Sequence, residues 1–130
     1  MKITKPPELS EYEQQKHIFL WAEMMTREYP ELWMLNGSLN GVRLTIGQAV
    51  KAKASGMKKG YPDIGLDVSR GGYHGLRIEL KKSNGKPTAE QKEWAGRFRD
   101  QGYLARFCYG SDMAKKVIIA YLKGLMRREP

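Results

Sequence analysis

A single cysteine, Cys108, serves all 130 residues. One thiol cannot close an internal disulfide or build a thiolate zinc cluster. Histidine is almost as scarce: His17 and His74 are the only two, and they lie too far apart in sequence to form a zinc site of their own. No apolar run approaches the roughly 20 residues that a membrane-spanning helix needs. The opening stretch Met-Lys-Ile-Thr-Lys-Pro-Pro lacks the apolar core of a signal peptide. The chain therefore reads as cytoplasmic, with no membrane partner. Repeats and low-complexity tracts are absent too. Acidic residues are outnumbered, 14 against 23 lysines and arginines, which leaves a net charge of +9. Such an excess suits a polyanion, nucleic acid before anionic membrane, although a merely soluble basic protein can carry the same charge.

What is present is enough for one domain that buries about two-thirds of its unfolded surface. Residues 1–9 are expected to form a loose arm, because Pro6-Pro7 excludes regular structure. A single domain over 10–126 and a charged tail over 127–130 complete the division. Ser10 with Glu13 makes a capping box that opens a helix expected to reach Tyr29, where Pro30 stops it. Leu32 to Leu35 is an apolar run that reads as a strand, and Asn36-Gly37 and Asn40-Gly41 mark turns. Val42 to Leu44 is a second short strand or an extended loop. Thr45 with Gln48 opens a short helix that ends near Ser55. Later, Thr88 with Gln91 opens a helix with Trp94, Ala95 and Phe98 facing inward. Tyr103 to Tyr109 is a strand, and Ser111 is expected to cap a final helix.

The central stretch, residues 60–82, reads as two short strands joined through Gly71-Gly72. Ile64, Leu66 and Val68 alternate with Asp63, Gly65 and Asp67; Leu76, Ile78 and Leu80 alternate with Arg77, Glu79 and Lys81. Successive strand side chains point to opposite faces, so one face is aliphatic and the other charged. A hairpin folded about Gly71 sets Asp63 opposite Glu79, and directly opposed Cβ atoms lie about 5 Å apart. Two carboxylates so close repel unless a cation sits between them or one keeps its proton. Magnesium takes oxygen ligands and is often held by one or two carboxylates. Lys81 points to the same side, where it can meet a phosphate or an attacking water. Strand pattern alone, however, favours a half-exposed hairpin with a solvated charged face. Glu11, in the first turn of its helix, reads by periodicity as a complement to the helix dipole. Lys51, Lys53, Lys58 and Lys59 precede the Pro62-Asp63 pair and Lys82 follows the second strand. Each is either a phosphate contact or part of a solvated face.

Taken in order, the elements are helix, strand, short helix, hairpin, helix, strand and helix. That order predicts an α/β fold with a mixed sheet flanked by helices.

Pro62-Asp63 followed by Glu79-Leu80-Lys81 has the form of the PD-(D/E)xK pattern, which is weak by itself. Its surroundings add Glu11 with Gln15, the approach Gly56-Met-Lys-Lys-Gly-Tyr-Pro-Asp63, Thr88-x-x-Gln91-x-x-Trp94, and the strand from Gly102 to Tyr109. Together these residues resemble the VRR-NUC family, the virus-type replication-repair nuclease domain of the PD-(D/E)xK superfamily, over Ser10 to about Leu122. The resemblance implies a restriction-endonuclease-like core and hydrolysis of DNA phosphodiester bonds with Mg²⁺ or Mn²⁺. It assigns metal binding to Asp63 and Glu79, an active-site role to Lys81, an accessory acidic role to Glu11 and a supporting polar role to Gln91. Similar proteins include small phage-type nucleases, so the expected setting is a bacterial or phage-infected cell. Stand-alone relatives lead to the expectation of a homodimer acting on branched DNA such as four-way junctions. The competing readings are a DNA-binding module that keeps the fold without cutting, and a restriction- or transposase-type cutter.

Overall fold

The computed structural model describes residues 7–40 and 42–129; most of the expected arm, Gly41 of the second turn and Pro130 of the tail lie outside the described residues. Helix α1 spans Glu11–Met25, with Ser10 outside it as N-cap and the Ser10–Glu13 capping box formed on both sides. It ends four residues before the expected stop. The chain turns at Thr26, and Pro30 opens a 3₁₀ helix, Pro30–Met34, in place of the predicted strand. Proline at the first helical position lacks only a donor that would have no partner there, and its fixed φ suits the turn. Strand β1 is the short remainder, Leu35–Gly37.

Residues 42–45 form no strand, and helix α2 runs over Ile46–Ala54 behind the predicted Thr45–Gln48 capping box. Strands β2 (Ile64–Leu66) and β3 (Leu76–Lys81) pair antiparallel with Ile64 against Ile78, Gly65 against Arg77 and Leu66 against Leu76. Helix α3 covers Ala89–Asp100, strand β4 Leu104–Tyr109 and helix α4 Ser111–Leu122. Ser111 is the first residue of α4 rather than its cap; Gly110 holds the cap position without a side-chain bond.

The sheet order is β1-β2-β3-β4, antiparallel except for the β3–β4 pair, which is parallel and is bridged by α3. The predicted mixed sheet and crossover are both present. The aliphatic face holds the core. Ile18 of α1, Leu66, Ile78, Leu80, and Ile118 and Tyr121 of α4 are each fully buried. Complete burial of such a side chain contributes roughly 1.5–3 kcal/mol. The Tyr121 hydroxyl, buried among them, donates to the Val68 carbonyl at 2.6 Å. Cys108 lies in the same core, and burial pushes its thiol up to about 11, so it is an inert filler.

The second face departs from the solvated surface that strand pattern suggests. Asp63, Arg77, Glu79 and Lys81 are all buried, at 6–9% exposure. Helix α3 returns across them to reach β4, so these four lie inside the molecule, while Asp67 of the same face stays exposed. Helix α2 differs in kind. It contains no buried residue, and Ile46 and Val50 are 87% and 63% exposed.

Candidate active site

Asp63 stands one residue before β2. Continuing the register from Ile64 against Ile78 sets it opposite Glu79, as the sequence predicts. The Asp63 Oδ2 accepts a hydrogen bond from the Leu80 backbone N–H at 2.8 Å. Its own carbonyl accepts from Ser38 N–H at 2.8 Å, which ties the site to the chain just after β1. Asp63 is therefore held by main chain on both sides.

Glu79 is held by a side chain. Gln91 Nε2 donates to Glu79 Oε1 at 2.7 Å. The Gln91 Oε1 is already occupied by the Thr88 N–H at 2.9 Å, and the Gln91 N–H by the Thr88 hydroxyl at 3.2 Å. The capping box thus orients the amide, so that its NH₂ group has to point at the carboxylate. Three residues on, Trp94 Nε1 donates to the Lys59 carbonyl at 3.2 Å, and Tyr61 meets the Trp94 ring edge-on at 4.9 Å. One helix end therefore fixes both Glu79 and the loop that delivers Asp63. The close approach needs Gly60, which has φ +85; a Cβ there would lie 2.7 Å from the Glu90 Cβ and 2.9 Å from the Gln91 nitrogen. From the other side, Asn40 Nδ2 donates to the Tyr61 carbonyl at 2.9 Å. Sequence reasoning missed Asn40 and the Leu80 N–H. An Asn-Gly pair reads as a turn, and a backbone donor has no sequence signal.

The second Glu79 oxygen, Oε2, is buried without a hydrogen-bond partner. Desolvation, followed by the Asp63 charge, raises the Glu79 carboxyl to about 9. Burial also raises Asp63, against the lowering effect of the Leu80 N–H. Burial and mutual repulsion therefore favour a proton on the pair when no cation is present. Glu11 is half-buried, and its charge is one of those that raise both carboxyls. Its Oε2 accepts from the Lys82 N–H at 3.3 Å, so the start of α1 is attached to the end of β3 beside the pair. Glu11 is thus more than a helix-dipole complement. Glu8 adds a parallel link, accepting from the Ser83 N–H at 2.6 Å and its hydroxyl at 2.9 Å.

Lys81 is buried on the face of Glu79, and its ammonium lowers both carboxyls. The other predicted lysines lie outside this centre. Lys51 and Lys53 are exposed in the last turn of α2; Lys58 and Lys82 are exposed; Lys59, itself exposed, pairs with Glu90 at 3.6 Å. An open groove of about 540 Å³ adjoins the approach loop, lined by Leu39, Asn40, Met57, Lys58, Tyr61 and Trp94; the carboxylates do not line it.

Among the described residues no three His, Cys, Asp or Glu side chains converge tightly enough to hold a cation alone. Two carboxylates make a half-site. Mg²⁺ commonly completes such a set with water and substrate phosphate oxygens. The donor set fits a hard divalent cation: its oxygens are anionic and adjacent, and one of them has no other partner.

The VRR-NUC domain family model matches residues 11–112. No curated protein matches the chain. A solved structure described as a VRR_NUC domain protein is 35% identical, with a TM-score of 0.74 over 92% of this chain and 93% of that one. The matched span runs from Glu11 through Asp63, Glu79, Lys81 and Gln91 and contains every residue of the buried centre. With the fold and the site in agreement, the chain belongs to the VRR-NUC nuclease domain family and has its PD-(D/E)xK fold.

Proposed function

We propose that the protein is a divalent-metal-dependent DNA endonuclease that acts as a homodimer on branched DNA, four-way junctions above all. The observation that carries the metal dependence is the Asp63–Glu79 pair, with its orphaned Oε2 and raised carboxyls. A buried pair of carboxylates costs stability, and a divalent cation would offset that cost beyond what a proton and Lys81 supply. Asp63 and Glu79 are the residues that would hold Mg²⁺ or Mn²⁺. A bound cation supplies Lewis-acid polarisation of the phosphoryl group and a more acidic water.

The chain's own residues account for the rest. Gln91 fixes the Glu79 carboxylate by one oxygen and leaves the other available to a cation. The Leu80 N–H fixes Asp63 by one oxygen. Lys81 brings a cation to a non-bridging phosphate oxygen and offsets charge that grows as water attacks phosphorus. The reaction consumes one water per P–O bond broken and releases a phosphomonoester and a hydroxyl terminus. Glu11 is attached to the end of β3 through the Lys82 N–H and adds negative charge beside the Asp63–Glu79 pair.

Charge and size support the substrate class. Net charge +9 with Lys51, Lys53, Lys58, Lys59 and Lys82 exposed around the approach to Asp63 and the end of β3 suits a phosphate backbone. One chain offers one site, and paired incisions across a nearly two-fold junction call for two copies related by a two-fold axis. The test is a panel of labelled duplex, flap, splayed-arm and four-way substrates with Mg²⁺, Mn²⁺ or EDTA, with light scattering run beside it. Paired, metal-dependent cuts in the junction by a dimer are expected. A monomer that prefers single-stranded flaps overturns the junction and dimer assignments; metal-independent cutting overturns the metal assignment.

A further inference from the structure

At the opposite end of the sheet the outer edge of β4 carries a second basic feature. Arg99, Arg106, Arg127 and Arg128 line a depression of about 390 Å³ together with Tyr103 and Glu129. Among the described residues none of the four arginines is in an ion pair, although the cluster carries a net charge of about three. Elsewhere among the described residues Arg70, Arg77 and Arg97 are paired with carboxylates, whereas Arg27 and Arg43, far apart in sequence, are not; it is the gathering of four that marks this place. All four are exposed, so the cluster presents an unneutralised positive surface that attracts an anion.

The cluster is built rather than incidental. Arg99 Nη2 donates to the Ala105 carbonyl at 2.8 Å, on the side of β4 that has no neighbouring strand. The C-terminal segment is laid against the Gly71-Gly72 turn: the Arg128 N–H donates to the Gly71 carbonyl at 2.8 Å, and the Tyr73 hydroxyl to the Arg127 carbonyl at 3.4 Å. Gly71 has φ +59, and a Cβ there would run into the Met126 carbonyl. The turn between β2 and β3 therefore serves a second purpose, which is to seat Arg127 and Arg128 beside Arg99 and Arg106.

We propose that this arginine pocket is a second phosphodiester-binding site, which grips a DNA arm away from the point of cleavage. The inference rests on the nuclease reading for its ligand. Arginine forks match phosphate oxygens, and several can share one backbone segment. Ala105 pairs with Arg77, four residues before Lys81. At about 3.3 Å per residue that is roughly 13 Å along the strands, or about four nucleotides of one DNA strand. One arm can thus touch both places.

The test is anisotropy of a labelled duplex in EDTA as a function of salt. It compares the wild type with an Arg106→Gln/Arg127→Gln/Arg128→Gln variant and with Gly71→Ala, which should unseat the tail while keeping its charge. Loss of three phosphate contacts makes the log–log slope shallower by about 2.7, so between roughly 50 and 200 mM salt the wild type loses about forty-fold more affinity than the variant does. Gly71→Ala should shift the slope the same way by less, and cutting at saturating DNA should match the wild type in both. Wild-type slope and affinity in the triple variant overturn the inference. A wild type that binds with the steeper slope but cuts no substrate overturns the nuclease reading and leaves the pocket standing.

Discussion

Asp67 and Glu79 stand on the same polar face of the sheet, near opposite ends of the β2–β3 pair, and the chain treats them in opposite ways. Asp67 is met by Arg77, whose Nη2 donates to it at 2.8 Å. The guanidinium of Arg77 lies 5.0 Å from the Phe98 ring centroid and 4.9 Å from that of Tyr103. Asn36 adds a hydrogen bond to the second Asp67 oxygen at 3.4 Å. Glu79 is met by another carboxylate, and one of its oxygens has no partner. The first cluster is balanced in charge as folded, although the Arg77 Nε is buried without a hydrogen-bond partner. The second is complete only with something added. Asp67 is half exposed, but Arg77 and Glu79 are both buried against α3, so burial of a charged group does not by itself separate a structural charge from a functional one; the charge of its partner does.

The largest way to sharpen that contrast is to change each cluster in turn. Asp63→Asn or Glu79→Gln should lower metal-dependent cleavage by about 10³-fold or more, with the fold retained by circular dichroism. Lys81→Ala should lower turnover by about 10²-fold, while calorimetric titration shows Mn²⁺ bound within a few-fold of wild type. Equal loss of binding and cleavage would move Lys81 into the metal site. At the other end, Arg77→Ala should cost about 2–3 kcal/mol in urea unfolding through the lost ion pair and aromatic packing. Its cleavage, assayed well below the new Tm, should stay within a few-fold of wild type. A large catalytic loss at constant stability would erase the distinction between the two clusters.

A smaller effect concerns pH. The folded Glu79 carboxyl titrates at about 9, against about 4.3 when unfolded. Between those values the folded state holds the extra proton, so metal-free stability falls as pH rises through the window and the loss is complete above about 9. Glu79→Gln should flatten this slope and raise metal-free stability at pH 8, read as a higher Tm than that of the wild type. Mn²⁺ competes with the same proton and should bind more tightly as pH rises; a slope unchanged in the variant would remove Glu79 as the titrating group. The smallest effect is expected at Lys58, where Lys58→Ala should flatten the salt dependence of DNA binding by about 0.9.

The parts of the molecule legible in the sequence are those set by neighbours along the chain. The capping boxes at Ser10, Thr45 and Thr88 each join residues three apart and all form. The fold about Gly71 follows from alternation on both sides of it, and so places Asp63 against Glu79. What was not legible depends on distant segments. The apolar run at Leu32 fits a strand until Pro30 starts a 3₁₀ turn against α1. The charged face looks solvated until α3 covers most of it. Gln91 is recognisable as a cap, but its second bond, to Glu79, depends on where the crossover helix lands. The arginine cluster joins residues from α3, β4 and the tail, and no local pattern gathers them.

The links from Glu8 to Ser83 and from Glu11 to Lys82 span 75 and 71 positions. They bear on the order in which the protein becomes dangerous. Synthesis proceeds from the N-terminus, so Asp63 and Glu79 leave the ribosome before Gln91, and β3 emerges before the parallel strand that secures it. A partly made chain has both carboxylates, but Glu79 lacks the Gln91 amide that fixes it. Cutting competence should therefore arise late and abruptly, once α3 has crossed the sheet. A cell that makes a nuclease beside its own nucleic acid gains from that delay.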